Sequence, residues 1–70
     1  NERMARTMAV ALIEGAEEWM QENSSDNPRY WSEAENWQND LLHARALCEH
    51  WGLDDLRERI DALLKRLRGE

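Results

Sequence analysis

The pattern of apolar and polar positions predicts three helices, at about residues 3–22, 28–51 and 54–68. Along the first of them, apolar residues recur at spacings of three and four. The recurring set is Met4, Met8, Leu12, Ala16 and Trp19, with Ala5, Ala9, Ile13 and Met20 beside it. The apolar arc, with Ala11 and Ile13 as its margins, spans about 200°, wider than the roughly 100° stripe of a surface helix. We therefore expect the first helix to contact more than one neighbour.

The second helix carries the most regular stripe in the chain, with spacings that alternate between four and three. Its members are Tyr30, Ala34, Trp37, Leu41, Ala44, Cys48 and Trp51. Two starting points are open. Position 26 or 27 can cap a helix that begins at Pro28, or Ser32 and Glu35 can form a capping box for a helix that begins at Glu33.

Gly52 is predicted to end the second helix, because glycine tolerates the positive φ of a C′ position, and Asp54 is predicted to cap the third. The predicted buried face of the third helix is Leu56, Ile60, Leu63, Leu64 and Leu67. Short connections make neighbouring helices antiparallel. The predicted fold is therefore all-α, an up-down-up three-helix bundle, with a dimerising helical hairpin equally open.

Chain length limits what the fold can bury. Seventy residues make a single helical domain, 1–70, and a chain this short buries only about 60% of its unfolded surface. Four tryptophans add core area, and Trp19, Tyr30, Trp31 and Trp37 are expected at the same end of an antiparallel hairpin. Self-association through the first helix is the other expected source of stability.

Composition limits the expected cellular compartment and the classes of partner. A single cysteine allows no internal disulfide, and neither a membrane span nor a signal peptide is evident, so we expect a cytoplasmic protein that does not bind membranes. The net charge is −6, and the segment 13–40 holds eight acidic residues against one basic residue, Arg29. Such a surface repels phosphate, so direct nucleic-acid binding is disfavoured and a protein partner, with a basic one favoured, is expected.

The charges of the third helix have expected uses within the fold. Asp55 with Arg59, and Asp61 with Lys65, have the spacing of i,i+4 pairs on its outer face. The basic cluster at 65–68 complements the helix dipole and is expected to lie beside the acidic loop region. These cations are therefore not interpreted as a nucleic-acid site.

The stretch LLHARALCEHW, residues 41–51, is the segment that most resembles a reactive site. On a helix, His43 and Cys48 differ by about 140° and Cys48 and His50 by about 160°, while the two histidines stand roughly 10 Å apart along the axis. No pair can chelate one metal ion, and neither histidine can serve Cys48 as a base. We predict a core cysteine, two solvated histidines, no catalytic residue, no metal and no cofactor.

Five residues are predicted to contact a partner. Val10 shares the acidic face of the first helix with Glu14 and Glu17 and has no evident packing role there. Trp31 and Leu42 form a second apolar margin, rotated about 80° and 100° from the stripe of the second helix. Either the third helix or a partner covers that margin, and tryptophan is enriched at interface hot spots.

The sequence therefore predicts a non-enzymatic, acidic protein-interaction module, an adaptor or inhibitor that also self-associates. The alternative is an acidic decoy that mimics nucleic acid, with carboxylates standing in for phosphates. Such a decoy predicts binding that weakens steeply with salt and survives Trp31→Ala. A metal or thiol enzyme that uses Cys48 and the histidines is the third hypothesis.

Overall fold

The computed structural model describes residues 1–69 and contains three packed helices and, over that range, no strand. They are α1 (Glu2–Glu22), α2 (Tyr30–Trp51) and α3 (Asp54–Leu67). The predicted all-α three-helix fold is confirmed.

Contacts between α1 and α2 show that these helices are antiparallel. Near the end of α1, the Trp19 ring stacks on Tyr30 with centroids 4.9 Å apart. One turn earlier on α1, Gly15 faces the Trp37 ring, which lies further along α2. Tyr30 also meets Trp31 edge to face at 4.9 Å, so the predicted aromatic end of the hairpin is confirmed for these residues.

Ion pairs give the direction of α3. Arg45 and Glu49 of α2 pair with Asp61 and Arg57 of α3, so the later residue on one helix meets the earlier residue on the other. On the other side, Arg6 pairs with Asp55 and Glu17 with Arg59, so α1 and α3 run in the same direction. The order is up-down-up, as predicted.

The same ion pairs correct two charge predictions. Asp55 and Asp61 bind arginines of other helices, and neither forms its predicted i,i+4 pair within α3. The packing of the helices brings an arginine of a neighbouring helix within reach of each carboxylate. The spacing of charges along α3 alone cannot reveal such contacts between helices. Lys65 and Arg66 do lie in the last turn of α3, where cations complement the helix dipole, but the basic cluster at 65–68 forms no salt bridge with the acidic loop region within residues 1–69.

Helix α2 begins at neither predicted position. It starts at Tyr30, after a turn in which the Asn27 side chain accepts a hydrogen bond from the Arg29 N–H at 2.9 Å. The Ser32 hydroxyl donates to the Arg29 carbonyl oxygen and does not cap a later start. Tyr30 stacks on Trp19 of α1, and this contact stabilises Tyr30 at the first position of α2. Neither capping pattern takes a contact with another helix into account.

The other end of α2 follows the prediction more closely. Gly52 has φ of 69°, and the Leu53 N–H donates to the Cys48 carbonyl oxygen at 2.8 Å, which closes the helix end. Asp54 is already the first residue of α3, and Leu53 occupies the cap position without a side-chain hydrogen bond. The predicted Asp54 cap is therefore wrong by one residue.

The core confirms the predicted face of α3 completely and five of the seven stripe residues of α2, while Trp37 is half-buried against the core. Trp51, predicted in the α2 stripe, is 39% exposed and meets His50 edge to face. It is the last residue of α2, so fewer neighbours cover it than cover the middle of the stripe. The buried residues of α1 are Ala5, Ala9, Ile13 and Ala16.

Candidate interaction surface

The buried face of α1 is rotated from the predicted one. Ile13, predicted as a margin of the apolar arc, is fully buried, while Met4 is 68% exposed and Met8 52% exposed. Helix α1 contacts both other helices, as its wide apolar arc predicts, and part of that arc is still uncovered.

The uncovered part forms an open groove of about 380 Å³ over the first turns of α1. We call it the methionine groove and define it by its lining residues, Arg3, Met4, Thr7, Met8 and Ala11. The wall is apolar apart from Arg3 and the Thr7 hydroxyl, and that hydroxyl donates to the Arg3 carbonyl oxygen within the helix at 3.0 Å. The methionine side chains of the groove are unbranched and flexible, so its surface can adapt to the shape of what it contacts.

Helix α3 lies along one edge of the rotated α1. The Arg6 guanidinium makes two hydrogen bonds to the Asp55 carboxylate, at 3.1 and 3.4 Å, and Glu17 meets Arg59 at 3.3 Å. The hydrogen bond from Arg6 holds the pKa of the Asp55 carboxyl below its usual range. With this polar edge of α1 against α3, Ile13 lies inside the bundle and the methionine edge lies outside.

Val10 and Leu42 are not free apolar residues. Both are half-buried and pack against the core. The expectation that Val10 has no packing role is wrong, because α3 lies along that edge of α1. Leu42 lies on the edge of α2 that carries Arg45, whose partner Asp61 belongs to α3. The side chain of Leu42 packs against the core of this chain, so it does not need a partner protein to cover it.

The two predicted carboxylates of α1 differ in their surroundings. Glu17 is half-buried beside Arg59, whereas Glu14 is exposed and forms no ion pair within the described part of the chain. Glu14 is therefore the one whose charge faces solvent without an ionic partner in the fold.

Trp31 is 54% exposed, with its ring set edge to face against Tyr30. It lies on the first turn of α2, and Leu42 is about 16 Å further along that helix. Val10 and Glu17 lie on the edge of α1 that faces α3, and Glu14 lies beyond that edge on the exposed face of α1. The structure therefore does not gather the five predicted contact residues into one surface.

The histidines and the cysteine lie where the helical wheel puts them. Cys48 is fully buried, and both His43 and His50 are exposed. Within residues 1–69, no three His, Cys, Asp or Glu side chains converge closely enough to hold a metal ion. Burial raises the pKa of the Cys48 thiol, which favours the unreactive protonated form.

We expect Cys48 to react with a thiol reagent such as DTNB at least about 100-fold more slowly in the folded chain than in denaturant, because reaction requires opening of the core. The measurement is the rate of absorbance change under native and denaturing conditions. A Cys48→Ala chain that carries Met8→Cys is the control, and its exposed thiol is expected to react at nearly the unfolded rate. Comparable native rates for the two thiols would contradict the buried position of Cys48.

Sequence reasoning missed the methionine groove because it assigned Met4 and Met8 to the centre of the buried stripe. A signal was available in Ala5, Ala9 and Ala16, small residues that let a neighbouring helix approach closely. Assigning the core to that set moves the two methionines to the margin.

Searches of protein-family models, curated proteins and solved structures found no match to this chain. Over residues 1–69, every helix is too short or too polar to cross a lipid bilayer. The surface itself is therefore the basis for a functional proposal.

Proposed function

We propose that this chain is a non-enzymatic protein-interaction module whose primary contact surface is the methionine groove. The observation that carries the proposal is the exposure of Met4 and Met8 side by side on α1, next to Ala11. Exposed apolar side chains grouped on one face are typical of binding surfaces, and methionine adapts to the shape of what it meets. Trp31 stays a predicted second contact at the opposite end of the hairpin.

The acidic-decoy alternative receives less support from the side chains it needs. Six carboxylates were its phosphate substitutes: Glu14, Glu17, Glu18, Glu22, Glu33 and Glu35. Glu17 pairs with Arg59, and Glu33 accepts a hydrogen bond from the Trp19 indole N–H at 3.0 Å. Two of the six therefore already have partners within the fold, which leaves them less available to bind a target.

A photo-crosslinking amino acid at position 8 tests the proposed surface. We expect it to join the chain to a defined protein, identified by mass spectrometry, whereas the same amino acid at Glu58 on the outer face of α3 yields no such product. Met8→Glu is expected to reduce binding of that protein at least about 10-fold, because it places a charge in an apolar contact. Ala62→Glu adds the same charge to an exposed position of α3 and is expected to leave binding unchanged.

Salt dependence separates the two functions. Apolar binding through the groove is expected not to weaken steeply as ionic strength rises, and to be lost in Met8→Glu. Decoy binding would weaken steeply with salt and survive Met8→Glu, a result that would refute our proposal.

A further inference from the structure

The methionine groove has charges of opposite sign at its two ends. Arg3 lies at its beginning, and Glu14 lies just beyond Ala11. Eleven residues of α-helix bring these two side chains to within about 20° of each other around α1 and about 16 Å apart along it. They therefore mark the same edge of the exposed face, and Met4 and Met8 lie between them along the axis, with Met8 toward the other edge of that face.

We propose that the groove is occupied by the methionine groove of a second copy of this chain, with the two α1 helices antiparallel. This inference rests on the proposed function and names the partner of its surface. A two-fold axis near residues 7 and 8 sets Met4 opposite the partner's Ala11 and brings the two Met8 side chains together on the edge away from Arg3 and Glu14. Arg3 of each copy then pairs with Glu14 of the other.

The symmetry explains why both charges lie on one edge. A two-fold axis perpendicular to the plane of two antiparallel helices keeps each edge on its own side, so a residue meets partner residues of the same edge. The Cα atoms of Arg3 and the partner's Glu14 are then offset by about 3 Å along the axis. Helical side chains lean toward their own N-terminus, and in antiparallel helices these two lean toward each other.

Size limits the strength of the contact. Exposed Glu18 and Glu22 follow the apolar stretch on α1, so the proposed contact covers only the first three to four turns. Each copy has a net charge of −6, so the two copies repel each other, and salt that screens this repulsion is expected to favour the dimer. We expect a weak dimer with a Kd of roughly 10–300 µM at physiological ionic strength.

Sedimentation equilibrium over about 10 µM to 1 mM tests the proposal, with the average mass expected to rise from 8.3 kDa toward twice that value. Arg3→Glu and Glu14→Arg are each expected to weaken association about 5- to 10-fold, because each sets like charges together twice across the axis. An equal mixture of the two variants, and the double variant of one chain, are expected to regain affinity to within about 2-fold of the original chain. Circular dichroism checks that each variant is folded.

Glu14→Arg separates the specific pair from general repulsion, since it makes the chain less negative. If general repulsion alone controlled association, its reduction would tighten the dimer. Tightening is the expected result for the matched control Glu58→Arg, on the outer face of α3. Tightening by Glu14→Arg, or a dimer that is insensitive to Met8→Glu, would overturn the antiparallel model. A chain that is monomeric throughout would also overturn it, while crosslinking of position 8 to a different protein would leave the proposed function standing.

Discussion

Replacing Ile13 with alanine is expected to lower the free energy of unfolding by about 2–5 kcal/mol, because it empties a fully buried position where α1 meets the rest of the core. For a chain of this length the total stability is on the order of 4–10 kcal/mol, so the change removes a large share of it. Urea unfolding followed by circular dichroism measures the difference. We expect the midpoint to fall and the slope to be retained.

The matched variant is Met8→Ala, which removes a side chain of similar size from the same helix. Met8 is 52% exposed, so its truncation is expected to change the free energy of unfolding by no more than about 0.5 kcal/mol. Both chains are best compared at about 1 µM or below, where self-association contributes little. Equal losses for the two variants would mean that α1 is not rotated as the structure has it.

This pair of variants tests the point at which sequence reasoning failed. The fold class, the number of helices and most of the buried faces of α2 and α3 were predictable, because each of these helices carries one stripe of apolar residues that is clearly the most regular. In α1 the apolar arc is wide enough to be buried at more than one rotation. A periodicity argument chose the rotation centred on the largest side chains, Met4, Met8 and Trp19.

What decides the rotation of α1 is information from other helices. Arg6 and Glu17 find their ion-pair partners on α3, at Asp55 and Arg59, which are more than forty residues away. The apolar pattern of a single helix cannot reveal pairs between residues so far apart in the sequence. The candidate surface was missed for the same reason, since Met4 and Met8 are exposed only because the opposite edge of α1 faces α3.

The reactive-looking segment 41–51 shows the opposite case. Its interpretation needed only the angle between neighbouring positions on one helix, which is fixed by helix geometry. The structure buries Cys48 and exposes His43 and His50, in agreement with that angle. Site predictions that depend on a single helix were therefore reliable here, and those that depend on which helices meet were not.

Replacing Trp19 with alanine is the second change with a large expected effect, a loss of about 2–4 kcal/mol in the free energy of unfolding. Trp19 joins α1 to the start of α2 in two ways, by stacking on Tyr30 and by the hydrogen bond from its indole N–H to Glu33. It is only half-buried, so the loss should stay below that of a fully buried tryptophan. Urea unfolding measures it.

Trp19→Phe separates the two contributions, because phenylalanine keeps an aromatic ring for Tyr30 and removes the N–H. We expect a loss of about 0.5–1.5 kcal/mol, the net contribution of a typical hydrogen bond, because partial hydration of the Glu33 carboxylate reduces the roughly 1.5–3 kcal/mol of a bond to a charged group. In a double-mutant cycle with Glu33→Ala, the two changes should be coupled by a similar amount. Additive losses would show that the hydrogen bond contributes nothing, and the stack alone would then hold this end of the hairpin. Coupling of the expected size would instead mean that Glu33 is committed to the fold, which removes one of the carboxylates that a nucleic-acid decoy would need.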